Sequence, residues 1–233
     1  MDSSPRPATA RTAPSPLRLR RWIGFTVLGE SVGYLIPVTA FALAAALSLE
    51  GWAAWAWLVV FGAGEGALLG LGQALGLRGS RAAVRPAPWI LATAVAASVA
   101  WGIGMLPSTL IDAGVAIDLT SPATWAVAAP AALALLATIP LAQRPLLARS
   151  GVLHSWWWVP INMGAWLVGI VFTFLPSPWV DESTPAAVMF ALFAVAGVLM
   201  ATTVAVLTGL GLRWMLTRDA AAPRDSVRLS TDR

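Results

Sequence analysis

Two glutamates, Glu30 and Glu65, interrupt long apolar stretches of the chain and are the side chains best placed to do chemistry. A charge at the centre of a bilayer costs about 2.5–3.5 kcal/mol on insertion scales, so such residues are rare and are functional by default. Neither stretch contains an Arg or Lys that could form an ion pair with them. Acids in such a place could accept and release protons or bind a cation.

A structural role is the competing interpretation. Each glutamate could be protonated and hydrogen-bond to Ser31, Thr26, Gln73 or a backbone carbonyl. Gln73 and Asn162 also lie within apolar stretches, where amide side chains commonly join helices by hydrogen bonds. The sequence leaves both interpretations open. The candidate intramembrane polar site consists of Glu30, Glu65, Gln73 and Asn162.

The elements that would position these residues are six apolar blocks. The chain has 233 residues, of which 58% are hydrophobic and 11% charged, whereas a soluble domain carries about 25% charged residues. A helix of about 20 apolar residues crosses a bilayer, and separate blocks can satisfy their backbone in lipid only as helices. The blocks are roughly Trp22–Leu49, Trp52–Leu77, Trp89–Leu106, Thr124–Leu141, Trp156–Leu175 and Ala186–Leu212.

These blocks predict an all-α, polytopic membrane protein with six transmembrane helices. The transmembrane domain spans residues 22–214. The tails, residues 1–21 and 215–233, are basic and rich in Pro, Ser and Ala, a composition typical of disorder. We expect both tails to be disordered.

The distribution of Arg predicts the orientation. All 15 basic residues are Arg, and they fall in the two tails, at their boundaries, and in the second and fourth connections. Because positive residues stay on the cytoplasmic side, both termini are predicted to be cytoplasmic. We expect the Arg residues to contact anionic lipid headgroups there rather than nucleic acid. The absence of Lys favours a bacterial source, and therefore the bacterial cytoplasmic (inner) membrane.

Tryptophans lie near the ends of most blocks, among them Trp22, Trp89 and Trp158 at the Arg-bearing ends. An indole has a large apolar body and one N–H group, and it prefers the headgroup level. We therefore expect these three residues to belong to an interfacial belt. Trp166 lies well inside the fifth block and is expected to pack between helices, with cavity lining as the alternative.

Glycines at intervals of four predict close packing of the first two helices. A two-residue connection makes these helices antiparallel neighbours, and small residues let backbones approach. Glu30 and Glu65 then differ in depth by about one helical turn and could meet or bracket a small cavity. The helix-packing glycines are Gly29 and Gly33 in the first helix and Gly62, Gly66 and Gly70 in the second.

Helices 2–3 and 4–5 carry similar polar and aromatic landmarks. Gln73 corresponds to Gln143, Trp89 to Trp158, and Thr93 to Asn162. Eighteen residues after each Trp comes a Leu-Pro-Ser segment, at 106–108 and at 175–177. Both hairpins run in the same direction across the membrane, so the pattern predicts a parallel internal repeat about an axis along the membrane normal.

Several reactive residue types are missing. The chain has no Cys, no Lys and a single His, His154, which removes thiol catalysis, Schiff bases and multi-His metal sites. No phosphate-binding loop or nucleophile elbow is found. We expect no enzyme activity, no cofactor and no metal, and we place His154 at the headgroup surface. Acidic residues in the odd-numbered connections (Asp112, Asp118, Asp181 and Glu182) predict a solvated outer face, with a weak cation site as the alternative.

The segment from Gly64 to Gln73, continuing to Leu77-Arg78, resembles a group of uncharacterised actinobacterial six-helix integral membrane proteins. Gly29-Glu30 through Pro37, Trp89 and the segment 106–108 add to the resemblance. It implies a bacterial cytoplasmic-membrane protein. It implies no activity and assigns no site residues.

Two functions remain compatible with the sequence. The first is a non-enzymatic membrane component or accessory subunit, which would act with a membrane-protein partner or as a homo-oligomer. The alternative is a small proton- or cation-linked transporter or channel that uses Glu30 and Glu65. The alternative predicts that both glutamates line a cavity reachable from one side, whereas a dry glycine seam would exclude it.

Overall fold

A computed structural model describes residues 16–181 and 183–221 as helices joined by short connections, with no β-strand among them. All six predicted transmembrane segments are long and apolar enough to cross a membrane, which confirms the all-α six-helix fold. Short 3-10 segments flank α5, at Ser155–Trp157, Val171–Phe174 and Ser177–Trp179. The helices are α1 (Leu19–Ala46), α2 (Gly51–Leu77), α3 (Pro86–Asp112), α4 (Pro122–Arg149), α5 (Trp158–Ile170) and α6 (Ala186–Ala221).

The six helices form a ring in chain order. Each helix packs against its neighbours along the chain, and α6 closes the ring against α1. At this closure the indole nitrogen of Trp22 donates to the backbone carbonyl of Ala205 at 3.1 Å, and the ring of Tyr34 packs against Gly197. A ring of this kind leaves space at its centre for a site that several helices share.

The two ends of the ring differ in charge. The Arg-rich end carries the starts of α1, α3 and α5 and the ends of α2, α4 and α6; the acidic end carries the opposite termini. A hydrophobic cluster fills the Arg-rich end, and it includes Trp22, Trp89 and Trp158, all 0% exposed. The prediction that these three tryptophans form an interfacial belt is therefore wrong, because they pack inside the ring.

Two predicted boundaries are also wrong. Helix α4 continues to Arg149 rather than ending near Leu141. Arg144 can lie within this helix because its guanidinium packs 3.7 Å from the centre of the Trp156 ring, and the face of an aromatic ring stabilises a positive charge. Residues 19–21 and 215–221, assigned to the disordered tails, are helical. Met215 is buried in the cluster at the Arg-rich end, which extends α6 beyond residue 214. The remaining tail residues, 1–15 and 222–233, lie outside the described residues.

Acidic residues at the acidic end bond within their own loops. Asp118 accepts hydrogen bonds from the backbone and hydroxyl of Thr120, and Asp181 accepts from the backbone and hydroxyl of Ser183. Both carboxylates are fully exposed, and the hydroxyl bonds hold the pKa of each below its ordinary value. These carboxylates stabilise loop turns, and among the described residues no group of three or more His, Cys, Asp or Glu could hold a metal ion. Glu182 lies outside the described residues.

The glycine positions correct one detail of the predicted packing. Gly29 and Gly33 face α2 as expected: a Cβ at Gly29 would lie 3.1 Å from the Cα of Gly72, and one at Gly33 would lie 3.0 Å from the carbonyl oxygen of Glu65. The other three predicted packing glycines, Gly62, Gly66 and Gly70, face α3 instead of α1. Spacing of four places them on one face but does not identify the neighbouring helix, and here Gly72 makes the approach to α1.

Replacing Gly72 with alanine is expected to destabilise the protein by about 1–3 kcal/mol. The new methyl would collide with the carbonyl oxygen of Phe25, which belongs to rigid helix backbone. Gly24→Ala is the matched control, because a Cβ there meets nothing within 4 Å and alanine gains up to about 1 kcal/mol of helix propensity. Unfolding in mixed detergent micelles measures both. Equal stabilities for the two variants would contradict the close approach of α1 and α2.

Candidate functional site

Glu30 and Glu65 reach the same space inside the ring. Glu30 is 0% exposed and Glu65 is 8% exposed, yet both side chains line a central cavity of about 370 Å³. The backbone approach of α1 and α2 at Gly33 brings the two acids together. The two carboxyl groups lie within hydrogen-bonding reach of each other, so they can share a proton, although Glu30 accepts no hydrogen bond from any other described group.

The two acids have different hydrogen-bond partners. Glu65 accepts a short hydrogen bond from the indole nitrogen of Trp101 on α3. Both carboxyl oxygens of Glu30 are buried without a partner, and so are the hydroxyls of Thr26 and Ser31. Glu30 therefore bonds to neither Thr26 nor Ser31, which are two of the partners that a structural role could use. Apart from the proton that it can share with Glu65, the hydrogen-bonding capacity of the Glu30 carboxyl is unfilled, and an unfilled buried polar group costs about 1–3 kcal/mol.

Apolar and aromatic side chains build the rest of the cavity wall. Leu69, Ile139 and Met200 contribute from α2, α4 and α6, and the rings of Tyr34, Trp101, Trp166 and Phe174 line it as well. The indole nitrogen of Trp166 is buried without a hydrogen-bond partner. The cavity therefore combines two acids with an aromatic and aliphatic surround, a composition usual for small-molecule sites of about 300–1,000 Å³.

The cavity opens in the half of the ring nearer the acidic end. Its lining residues grade from buried ones beside Glu30 to Gly104 and Phe174, which are exposed. Helix α4 leaves room there, because all four of its buried residues lie from Ile139 onwards, nearer the Arg-rich end. The opening lies beside the half of α4 that contacts little of the ring.

A hydrogen-bonded polar layer closes the cavity toward the Arg-rich end. The Gln73 side-chain oxygen accepts from the indole nitrogen of Trp89 at 3.1 Å and from the Gln143 amide at 2.7 Å. The same amide donates to the Thr93 hydroxyl at 2.8 Å, and the Gln143 oxygen accepts from Trp158 at 3.0 Å. All five side chains are buried. Together with the hydrophobic cluster that fills the Arg-rich end, this layer blocks a continuous path through the ring.

Asn162 lies next to this layer. Its side-chain nitrogen donates to the backbone carbonyl of Trp158 at 3.1 Å, while its side-chain oxygen is buried without a partner. Gln73 and Asn162 thus belong to the polar layer, whereas Glu30 and Glu65 belong to the cavity. The predicted polar site divides into these two parts.

The polar layer contains equivalent bonds in the two proposed repeat units. Trp89 donates to Gln73 as Trp158 donates to Gln143, and Thr93 and Asn162 each donate to the backbone carbonyl of the preceding Trp. The Leu-Pro-Ser segments differ, since the first lies inside α3 and the second joins two 3-10 segments. The internal repeat stays a prediction.

The side chain of the single histidine, His154, is 37% exposed at the Arg-rich end, and its place at the headgroup surface stays a prediction. The ring of His154 bonds to the carboxylate of Asp219 on α6, which also accepts from the backbone nitrogens of Leu153 and His154. This is the only close contact between a basic and an acidic side chain found among the described residues, and it lies at the Arg-rich end. Neither glutamate in the cavity has a cationic partner within the described part of the chain.

The sequence did not identify three residues of this site. Trp101 and Tyr34 reach the acids, and Gln143 holds three hydrogen bonds of the polar layer. Trp101 lies near the middle of α3 rather than at its end, which is a signal that it faces the protein interior. Comparison with known proteins finds no family model, no curated protein and no solved structure that matches the chain.

Proposed function

We propose that this membrane protein is a small proton- or cation-linked transporter that uses Glu30 and Glu65. The observation that carries the proposal is that both acids line one open cavity and have no cationic partner among the described residues. The second acid, Glu65, is held by Trp101. Glu65 is also the more exposed acid, at 8% against 0% for Glu30, so a transported ion would reach the pair through Glu65.

The two acids together require a positive charge or a proton to neutralise them. Two carboxylates side by side in an apolar surround repel each other, and burial further disfavours their charge. No Arg or His lies beside them to neutralise the charge. A bound proton or a bound monovalent cation is the simplest neutraliser, and exchange of one for the other would couple their movements.

The polar layer supplies the second feature that transport requires. Alternating access needs a barrier on one side of the site while the other side is open. The layer of Gln73, Gln143, Trp89 and Trp158 lies on the Arg-rich side of the acids, and the cavity opens on the other side. In our proposal this arrangement is the outward-open state, and the transport step rearranges the layer.

The sequence also allowed a role as an accessory subunit, but the exposed side chains of residues 16–181 and 183–221 do not single out one surface for a protein partner. Exposed apolar residues on all six helices are what a lipid-facing surface requires. Our proposal contains no enzyme activity and no cofactor, and it needs only the lipid bilayer as surroundings.

For orientation, we propose that the Arg-rich end faces the cytoplasm of a bacterial cell. Arg18, Arg21 and Arg78 surround a pocket of about 140 Å³ there, and anionic lipid headgroups of the inner leaflet would complement its charge. Both termini would then be cytoplasmic. The resemblance to actinobacterial membrane proteins agrees with this location.

Cysteine labelling tests the orientation without background, because the chain contains no Cys. Ser183→Cys places a thiol in the last loop of the acidic end, and Arg81→Cys places one between α2 and α3 at the Arg-rich end. With a membrane-impermeant maleimide on intact cells, we expect label on Ser183→Cys alone. Arg81→Cys should react only after permeabilisation. Labelling of Arg81→Cys in intact cells would reverse the orientation.

The transport proposal is tested in proteoliposomes that contain a pH-sensitive dye. Gradients of pH, Na⁺ or K⁺ are imposed in turn, and we expect the wild-type protein to change the internal pH in at least one of them. Glu30→Gln removes one acid of the pair and should lower this flux by at least about tenfold, toward that of protein-free liposomes. Glu65→Gln should lower it similarly.

Glu50→Gln is the matched control, since it removes an acid of the same type from the exposed α1–α2 connection. Its flux should equal that of the wild type. Circular dichroism and size-exclusion chromatography establish that each variant is folded. A folded Glu30→Gln protein with wild-type flux would overturn the proposal.

A further inference from the structure

We propose that the cavity binds a monovalent organic cation with an aromatic or aliphatic body, and this inference rests on the proposed transport function. The starting observation is the composition of the cavity wall. Beyond the two acids, the groups that face the space are mainly aliphatic side chains and four aromatic rings. A small hydrated metal ion would need several further oxygen ligands, and this wall offers few.

The size of the cavity agrees with a ligand larger than a bare ion. Its volume of about 370 Å³ corresponds to roughly twelve water molecules at about 30 Å³ each. It lies within the range of sites for small organic ligands. A proton or Na⁺ would leave most of this space to water against an apolar wall, which is unfavourable.

The aromatic rings suit a positive charge that carries an apolar body. Rings of Trp and Tyr attract ammonium groups over their faces, by about 0.5–2 kcal/mol depending on desolvation. Tyr34 and Trp101 line the cavity beside the two acids, whereas Trp166 and Phe174 line it from the α5 side. A cationic head beside Glu65, the more exposed of the two acids, and an apolar body among Trp166, Leu135 and Phe174 would use both parts of the wall.

Binding of such a cation displaces a proton from the acid pair, and water at the opening of the cavity accepts that proton. When the pair holds a proton, the incoming cation replaces it, and the charge of the site is unchanged. The released proton leaves through the same opening. This exchange is the form that proton-linked transport takes in the proposal.

The probe is radiolabelled benzyltrimethylammonium, which has one ring and one fixed positive charge, bound to the wild-type protein in nanodiscs. We expect saturable binding. Two competitors separate the contributions: tetramethylammonium keeps the charge without the ring, and neopentylbenzene keeps the shape without the charge. Each should compete at least about tenfold more weakly than unlabelled probe. Glu30→Gln should weaken binding at least about tenfold, whereas Glu50→Gln should bind as the wild type does.

Alternative outcomes separate this inference from the function on which it rests. Competition by Na⁺ or tetramethylammonium as strong as that by the probe would overturn the organic-cation assignment and indicate a small-cation site. No saturable binding, together with glutamate-dependent flux in proteoliposomes, would refute the inference and leave the transport proposal standing. If folded wild-type protein shows neither saturable binding nor flux, the inference and the transport proposal are both refuted. Binding that Glu30→Gln and Glu30→Asp leave unchanged would place the ligand elsewhere and refute the assignment.

Discussion

Replacing Glu30 with methionine is expected to raise the free energy of unfolding by about 1–3 kcal/mol while it abolishes the proposed transport. Both carboxyl oxygens of Glu30 are buried and accept no hydrogen bond from a described donor, and Glu65, with which Glu30 can share a proton, adds like-charge repulsion when both acids are ionised. Methionine has a similar volume, suits the apolar wall of the cavity and removes both unfavourable contributions. Reversible unfolding in mixed micelles measures the change in stability.

This variant separates the two roles that the sequence left open. If Glu30 is structural, its removal should lower stability; if it is functional, removal should raise stability and stop flux. Glu50→Met provides the control, because a substitution on the exposed connection should change stability by no more than about 0.5 kcal/mol. A loss of 1 kcal/mol or more in Glu30→Met would contradict the functional role.

The expected gain also bears on why the acid is present at all. If one apolar substitution in the cavity raises the stability of the protein, the natural glutamate lowers that stability. Residues that lower stability are typical of functional sites. Glu65 differs, since Trp101 satisfies one of its oxygens. Glu65 is also the more exposed acid, at 8% against 0% for Glu30. We therefore expect the ligand to contact Glu65, and Glu30 to act through the proton that it can share with Glu65.

The number of helices and the location of the acids could be predicted because both depend on strong, local signals. A block of about 20 apolar residues has one stable arrangement in lipid, and an acid inside such a block is conspicuous. The antiparallel contact of α1 and α2 followed from Gly29 and Gly33 and from the short connection, which was predicted as two residues and comprises residues 47–50 in the structure. These features required no knowledge of which other helices are neighbours.

The partners within the site could not be predicted, because they depend on the order of helices around the ring. Trp101 reaches Glu65 only because α3 packs on the Gly62–Gly70 face of α2. Trp89 and Trp158 resemble belt residues in sequence, yet each indole nitrogen finds a glutamine oxygen inside the protein. An amphipathic indole is suited both to a headgroup layer and to a buried polar layer, so its sequence position does not distinguish them.

Gln143 shows how much of the fold depends on such a partner, and Gln143→Leu is expected to lower the free energy of unfolding by about 2–4 kcal/mol. Its side chain makes three hydrogen bonds, to Gln73, Thr93 and Trp158. Hydrogen bonds between membrane helices average about 0.6 kcal/mol and reach about 1.7 kcal/mol, and the substitution also leaves buried partners without a bond. Thr202→Val is the control, since the exposed Thr202 bonds only within α6.

A double-mutant cycle with Trp158→Phe identifies the bond responsible. Trp158 is 0% exposed, and its indole nitrogen donates to the Gln143 oxygen at 3.0 Å. Once Gln143 is replaced, the phenylalanine removes a donor that no longer has an acceptor. The double variant should therefore be more stable than the sum of the single changes predicts, by about 1 kcal/mol. Strict additivity would mean that the two side chains do not interact, and the polar layer would then lack the bond that joins α4 to α5 beneath the cavity.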